Sequence, residues 1–237
     1  MKILSLDSSA TCASVALFDI ESQKIIGDFF INTKLTHSQT LVPMLDALLK
    51  STKTELSDID YFAVNTGPGS FTGVRIGVAA VKGMAMALNK PCVAVSTLDS
   101  MAYNLLDVNC TAVCVMDARC NQVYNANFKV DNGNVEKLCD DRALSIDELT
   151  DELKSVDGHI VLVGDGAKLC FDKMKDAIPN IKIASIQNRY QKASSTALVA
   201  LNLYNNGKTL TAEELMPYYL RLPQAERELK KREESGK

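Results

Sequence analysis

A turn-rich stretch, residues 65–77, separates two apolar runs and limits what this chain can fold into. Residues 61–64 before it have the character of a buried strand, and residues 74–88 after it that of a helix. Two glycines and a proline between the runs are typical of a tight turn, and Ser70 or Thr72 can cap the helix. Such a turn can bind an anion at the helix N-terminus, but it also makes an ordinary β–α connection. Both interpretations stay open, although a P-loop is excluded because no Gly-Lys-Ser/Thr follows.

The composition is that of a globular protein. Its 237 residues, 46% hydrophobic and 23% charged, can form one large core or two smaller ones. The net charge of −3 gives no basic surplus, so autonomous binding to nucleic-acid phosphates is not expected. We recognise no signal peptide and no apolar run of membrane-span length, so we expect a cytoplasmic protein that does not bind a membrane.

The cysteines and histidines give no sign of a metal site. Seven cysteines form no C-x-x-C pair and mostly lie in apolar segments, so we expect reduced thiols in the core. His37 and His159 are far apart in the sequence. Metal ligands are therefore not expected.

Apolar and turn patterns predict two halves with the same order of elements. The first half has strands at 2–8, 12–19, 24–32, 61–64 and 92–96 and helices at 36–50, 74–88 and 97–106. The second has strands at 110–117, 122–130, 135–139 and 160–163, and helices over 145–153, from 167 to about 177 and over 194–204. The first three strands are expected to form a meander, and Thr36-His37-Ser38-Gln39 and Ser145-Ile146-Asp147-Glu148 have the form of capping boxes. We predict an α/β protein with an N-terminal lobe, residues 1–106, a C-terminal lobe, residues 107–222, and a charged tail, residues 223–237.

The helix predicted over residues 74–88 is apolar on two faces. Each glycine in it costs about 1 kcal/mol relative to alanine, which close helix–helix or helix–sheet contact would explain. A helix of this kind is enclosed on both sides, either within the fold or by a partner. One face consists of Val74, Val78, Val81, Ala85 and Leu88, and the other of Ile76, Ala80, Met84 and Ala87.

Four motifs together resemble the TsaB (YeaZ) family. They are Leu6-Asp7-Ser8-Ser9, His37-Ser38-Gln39, the glycine-rich block at residues 67–77 and Pro217-Tyr218-Tyr219-Leu220-Arg221. The resemblance covers residue 1 to about residue 222. It implies two duplicated α/β lobes of the actin/sugar-kinase/heat-shock-chaperone ATPase-like (ribonuclease H-like) fold, with the partner-binding helices in the N-terminal lobe.

The resemblance also implies a role in tRNA modification. A TsaB protein is a non-catalytic subunit for formation of N6-threonylcarbamoyladenosine at tRNA position thirty-seven. It binds and supports a TsaD-type catalytic subunit, which transfers the threonylcarbamoyl group to the adenine. A TsaE-type ATPase joins the pair. The TsaB subunit is expected to contact tRNA only indirectly. Alone, the subunit is expected to form a homodimer. It is expected to have no cofactor of its own, with ATP or ADP at the interface of the complex.

The resemblance assigns residues to two sites. The partner interface is expected at Leu41, Leu45, Val74, Val78, Val81 and Ala85. A vestigial nucleotide site is expected at Asp7, Ser8, Ser9, Gly67, Gly69, Gly164 and Gly166. No catalytic residue and no metal ligand is expected, because Thr97 and Met101 stand where the catalytic relative carries a His-x-x-x-His metal pair. The absence of this pair also disfavours the older label of metallo-glycopeptidase.

Two alternatives remain open. One is a nucleotide-binding or nucleotide-hydrolysing enzyme of the same superfamily, using Asp7 and the two glycine-rich turns. The other is direct tRNA binding by basic residues from Arg221 to Arg232, which neighbouring glutamates disfavour by nearly cancelling their charge. Arg75 is expected at an interface or paired with Asp7 or another carboxylate, and the sequence does not decide between these.

Overall fold

The computed structural model describes residues 1–33 and 35–221 and builds them into two lobes, each on one β-sheet. The N-terminal sheet contains β1 (Lys2–Asp7), β2 (Ala13–Asp19), β3 (Lys24–Ile31), β4 (Tyr61–Gly67) and β5 (Cys92–Ser96). Its order is β3-β2-β1-β4-β5: the first three strands form the predicted antiparallel meander, and β4 and β5 add in parallel to β1.

The second sheet repeats this arrangement. It contains β6 (Cys110–Asp117), β7 (Gln122–Asp131), β8 (Asn134–Lys137), β9 (Arg142–Ser145), β10 (Ile160–Val163) and β11 (Ile181–Ile183). The order β8-β7-β6-β10-β11 matches that of the first sheet, with β9 as an extra strand on β7. The predicted duplication is therefore confirmed, whereas β9 and β11 escaped prediction because each has at most four residues and is not fully buried.

In the described part of the chain, six α-helices flank the sheets. They are α1 (His37–Thr52), α2 (Phe71–Leu88), α3 (Thr97–Ala102), α4 (Ile146–Leu153), α5 (Ala167–Met174) and α6 (Ala193–Asn205). Ser70 caps α2 by accepting from the Gly73 N–H at 3.3 Å, and Ser145 and Glu148 form the predicted capping box of α4. The capping box predicted at Thr36 is wrong, because its side chain makes no bond to a backbone N–H of α1.

The predicted domain boundary needs correction, because α3 and α6 each pack on the sheet of the other lobe. α1 and α2 cover one face of the N-terminal sheet, and α6, although late in the chain, covers the other through Ala197, Val199 and Ala200. α3 in turn packs on the C-terminal sheet, whose opposite face holds α4 and α5. Each sheet needs both faces covered, so residues 1–106 and 107–222 are not separate packing units.

The chain also returns to the N-terminal lobe after α6. Leu210 pairs with Cys92 at the edge of β5, and Ala212 and Leu215 lie in the core beneath α2. We call residues 211–221 the C-terminal strap. Its last residue, Arg221, donates to Ala118 O at 3.4 Å and to Gln122 in the other lobe. The strap therefore ties the two lobes together. The predicted charged tail and its basic residues beyond Arg221 lie outside the described residues.

Helix α2 reaches the length and hydropathy of a short membrane span, although no apolar run of that length was expected from the sequence. It has 18 residues and a mean hydropathy of 1.4. Its buried residues, however, pack on the N-terminal sheet as part of a core cluster. A core helix of a globular α/β protein passes the same test, so its hydropathy is explained by its place in the lobe.

The cysteines are unpaired. Five are buried, as expected for core thiols: Cys12, Cys92, Cys110, Cys114 and Cys170. Burial raises the pKa of each of these thiols, which keeps them protonated and chemically inert. Cys120 is exposed and Cys139 partly exposed, so the expectation fails at those two positions.

Candidate functional site

The six residues predicted for the partner interface lie inside the chain's own core. Leu41, Leu45, Val74, Val78, Val81 and Ala85 are between 0% and 7% exposed. They belong to one cluster with Leu4, Leu17 and Phe62 of the N-terminal sheet. They are not available to another chain, and their assignment to the interface is wrong. Burial favours this face because its valines and leucines remove more apolar surface from water than the alanines opposite.

The opposite side of the two helices is exposed, apart from Ile76 and Ala80, which are half-buried. We call it the outer helix face: Val42 and Pro43 of α1, and Ile76, Ala79, Ala80, Gly83, Met86 and Ala87 of α2. Val42 is 58% exposed and Met86 52% exposed. It includes three of the four residues of the second apolar face predicted from the sequence. Side-chain size would have separated only part of α2: its valines point inward, whereas Ala79, Gly83 and Ala87 point outward together with the larger Met86.

Gly83 lies on the outer helix face with open space in front of it. A Cβ atom added at Gly83 meets no atom within 4 Å in the described residues, unlike those added at Gly73 and Gly77 of the same helix. Glycine in an exposed helix interior costs about 1 kcal/mol relative to alanine, and nothing within the described chain requires it. A backbone that approaches from outside would require it.

A cleft of about 780 Å³ lies between the two lobes. The β1–β2 turn, the N-termini of α1 and α2, the β6–β7 turn and the C-terminal strap line it. Of the seven residues predicted for a vestigial nucleotide site, only Ser9 and Gly69 reach its surface. Asp7, Ser8, Gly67, Gly164 and Gly166 are buried behind it.

Both carboxylate oxygens of Asp7 accept hydrogen bonds from residues of the chain itself. Its Oδ1 accepts from the Ser9 N–H at 2.8 Å and from the Ser9 hydroxyl at 2.7 Å, and its Oδ2 accepts from the Asn65 amide. Burial raises the pKa of the carboxyl group, and these hydrogen bonds oppose the rise. The carboxylate thus fixes the β1–β2 turn to β4. Arg75, one of its predicted partners, lies at the surface and does not contact it.

The glycines of the two predicted phosphate turns contact the chain itself. A Cβ at Gly69 would overlap Ser9 O, and one at Gly67 would overlap Tyr218 O of the strap. The Ser70 N–H at the start of α2 donates to Ser9 O at 2.6 Å. These glycines therefore let the β1–β2 turn and the strap pack against the start of α2, which is a structural role.

The second glycine-rich turn is packed in the same way. Gly164 and Gly166 both lie against Val115 O at the end of β6, and the Gly166 N–H donates to that oxygen at 3.2 Å. The side chain of Met101 also borders Gly164. Met101 and Thr97 are 0% exposed, and Met101 belongs to the core of the C-terminal lobe. Within residues 1–33 and 35–221, no group of three His, Cys, Asp or Glu side chains is placed to hold a metal ion.

The sequence did not reveal the aromatic cluster where the strap meets α2. The Tyr218 N–H donates to Thr66 O at 2.7 Å, which places the strap beside the end of β4. Tyr219 stacks on Phe71 with ring centroids 4.7 Å apart, and its hydroxyl accepts from Arg75 Nε at 2.7 Å. The Pro217–Arg221 motif that carried the family resemblance therefore borders the outer helix face along α2.

Asp165 at the cleft gives a pH-dependent prediction. Burial and the nearby Asp117 carboxylate raise its pKa from 3.8 to about 6, against a hydrogen bond from Gln191 at 3.3 Å. A raised pKa means that the folded state binds the proton more tightly, so stability is lost as the pH rises from about 4 through about 6. We expect Asp165→Asn to stabilise the protein by about 2 kcal/mol near pH 8, after allowance for the solvent in the cleft, and to have no effect near pH 4.

Urea unfolding across this pH range checks that expectation. The exposed Asp176→Asn serves as the matched control and should give a pH profile parallel to that of the wild type. A stability difference between Asp165→Asn and wild type that does not change with pH would contradict the assignment.

Comparison with known proteins gives the family. The family model for TsaD, tRNA N6-adenosine threonylcarbamoyltransferase, matches residues 25–228. The tRNA threonylcarbamoyladenosine biosynthesis protein TsaB of Escherichia coli is 30% identical over 224 residues, covering 93% of this chain and 95% of that protein. TsaB of Bacillus subtilis is 29% identical over 230 residues, with 95% and 96% covered. By contrast, a threonylcarbamoyltransferase of Erythrobacter litoralis matches over only 68 residues, 20% of its length.

Solved structures agree with this. YeaZ from Pseudomonas aeruginosa superposes with a TM-score of 0.74 at 25% identity, over 92% of this chain and 99% of that one. The ethanolamine utilization protein EutJ from Carboxydothermus hydrogenoformans, at 10% identity and a TM-score of 0.51, shares the fold alone. The expected actin/sugar-kinase/heat-shock ATPase-like fold is confirmed. Since the match to TsaB proteins covers nearly the whole chain, the chain belongs to the TsaB family of tRNA threonylcarbamoyladenosine biosynthesis proteins.

Proposed function

We propose that this chain is a non-catalytic subunit in the formation of N6-threonylcarbamoyladenosine at tRNA position thirty-seven. In this role it binds a TsaD-type catalytic subunit through the outer helix face, and a TsaE-type ATPase joins the pair. The tRNA binds to the assembled complex and not to this chain alone. ATP or ADP, where required, binds at the interface of the complex, and the isolated chain pairs with itself through the same face.

The observation that carries this proposal is the open space at Gly83. The outer helix face is apolar, and the alanines at 79, 80 and 87 around Gly83 are small, so a partner helix can approach the α2 backbone closely there. The buried face of α2 meets its own sheet and leaves only this side for a partner. The chain's place in the TsaB family supports the choice of partner.

The test is to fill that space. We expect Gly83→Leu to lower the affinity for the TsaD-type partner at least 100-fold, about 2.7 kcal/mol, because the new side chain occupies the volume of the approaching helix. The same change should raise the stability of the isolated chain by about 0.5–1 kcal/mol at concentrations low enough to keep it monomeric, because leucine is the better helix former and no homodimer contact is then lost. Isothermal calorimetry measures the first effect and thermal unfolding the second.

A matched control separates interface from surface hydrophobicity. Lys175→Leu adds the same side chain at an exposed position after α5 in the other lobe, and should leave the affinity unchanged. A Gly83→Leu chain that still binds its partner at wild-type affinity would refute the outer helix face as the interface.

A nucleotide-hydrolysing enzyme is the second candidate, and the volume of the cleft between the lobes is the observation that favours it. The packed glycine turns and the occupied Asp7 count against it, because the groups that would approach a phosphate contact the chain instead. Calorimetry of the isolated chain with ATP and magnesium distinguishes the two candidates.

A further inference from the structure

Arg75 is held in a fixed position at one end of the outer helix face. Its guanidinium lies 3.7 Å from the centroid of the Phe71 ring. Its Nε donates to the Tyr219 hydroxyl at 2.7 Å, and Tyr219 itself stacks on Phe71. One flat side and one nitrogen of the guanidinium are therefore used by contacts within the chain, and the side chain remains exposed.

The remaining edge of this guanidinium has no partner among the residues that the structure describes. Within residues 1–33 and 35–221, Arg75 is in no salt bridge, and its two Nη nitrogens meet no acceptor. The other cation of α2 differs: the Lys82 ammonium donates to Glu213 O at 2.9 Å and to Leu215 O at 3.3 Å in the strap. The Lys82 ammonium is thus used to hold the strap, whereas Arg75 contacts the strap through its Nε alone and leaves its Nη edge without an acceptor in the described residues.

An arginine with this geometry is suited to a carboxylate. The two Nη nitrogens form the fork that binds both oxygens of a carboxyl group, and such pairs are stronger than neutral hydrogen bonds. Stacking on Phe71 and the bond to Tyr219 have already restricted the long side chain, so less conformational entropy is lost when a partner binds.

The surroundings favour a protein carboxylate over a nucleic-acid phosphate. Ala79 lies one helical turn from Arg75 and Gly83 lies two turns away, so the arginine borders an apolar, small-residue surface. Protein interfaces combine such an apolar centre with arginine, whereas phosphate contacts need several cations together. We propose that Arg75 binds an aspartate or glutamate side chain of the partner that covers the outer helix face. This inference rests on the proposed function and adds the charge that the partner must present.

The experiment measures the affinity for the TsaD-type partner of the same organism at several salt concentrations. We expect Arg75→Gln to weaken binding about tenfold at low salt and to flatten the salt dependence, because the charge pair is lost. Arg75→Lys should recover only part of the affinity, since an ammonium lacks the fork. Tyr219→Phe keeps the ring but removes the hydroxyl, and should weaken binding a few-fold while the salt dependence persists.

Lys82→Gln is the matched control, because it removes a cation from the same helix whose ammonium is already bound within the chain. It should leave the salt dependence as in the wild type. Equal affinities of Arg75→Gln and wild type at every salt concentration would overturn the inference. A complex that fails to form even with the wild-type chain would instead refute the proposed function.

The chain's own glutamates could compete for Arg75. Changing Glu226, Glu228, Glu233 and Glu234 to glutamine in the full chain tests this. Unchanged partner affinity supports a carboxylate from the partner. A several-fold gain in affinity that disappears in the Arg75→Gln background would show that these glutamates occupy the fork, and would overturn the inference.

Discussion

Replacing Gly73 with alanine is expected to destabilise the N-terminal lobe by about 3 kcal/mol and to lower the Tm by about 10 °C. The added methyl group would overlap Ser8 O and lie 3.0 Å from the ring of His37. Neither can easily move, because the Ser8 hydroxyl donates to Gly73 O at 2.8 Å and the His37 Nε2 atom is 2.6 Å from Ala10 O. The β1–β2 turn would have to separate from α2.

Gly83→Ala in the same helix is the matched control. Its methyl group enters open space, so at concentrations that keep the isolated chain monomeric the control should stabilise it by about 0.5–1 kcal/mol through helix propensity alone. If glycine-to-alanine substitution lowers the stability at Gly73 but raises it at Gly83, the contact with the β1–β2 turn decides the effect. A Gly73→Ala protein as stable as the wild type would mean that the turn is not held against α2 as described.

A still larger loss, about 4 kcal/mol, is expected for Gly164→Ala in the C-terminal lobe. Gly164 has a φ of +115°, which a residue with a side chain rarely adopts, and its added Cβ would overlap Val115 O and lie 2.8 Å from Met101 Sδ. The Gly164 N–H also donates to Arg189 O at 2.7 Å, which fixes the backbone. Chemical denaturation with urea gives the free energy of unfolding.

Gly158→Ala separates the two causes of that loss. Gly158 also has a positive φ, +81°, but nothing lies within 4 Å of an added Cβ. It should therefore show only the backbone cost, about 1 kcal/mol. If both substitutions have the same effect, the close contact with β6 and Met101 contributes nothing.

Most of the local structure could be predicted from the sequence. Alternation of apolar residues and turn residues located β1 to β8, β10 and the long helices to within a few residues, because each has a strong pattern of its own. Ser145 and Glu148 gave the start of α4 correctly. β9 and β11 were missed because each has only three or four partly exposed residues and, unlike the equally short β8, neither follows an Asn-Gly hairpin turn that marks its start.

The assignment of residues to sites was less successful. The sequence showed that α2 is apolar on both sides, but the prediction placed its valine face at the partner interface. The structure places Val74, Val78 and Val81 on the sheet and leaves Ala79 and Gly83 outside. The glycine-rich turns likewise suggested a phosphate, whereas Gly69 and Gly164 instead admit the backbone of a neighbouring segment. A glycine pattern indicates a close approach without stating what approaches.

The sequence by itself determined the family, the duplicated order of strands and helices, and the presence of a small-residue helix that something must approach. Those properties depend on residues close together in the chain. Only the tertiary structure decided that α6 and the strap belong to the first lobe, that the outer face of α2 is the exposed one, and that no acceptor in the described part of the chain meets the Nη edge of Arg75. These depend on contacts between segments that are distant in the chain, such as Arg75 and Tyr219, 144 positions apart, which no local pattern encodes.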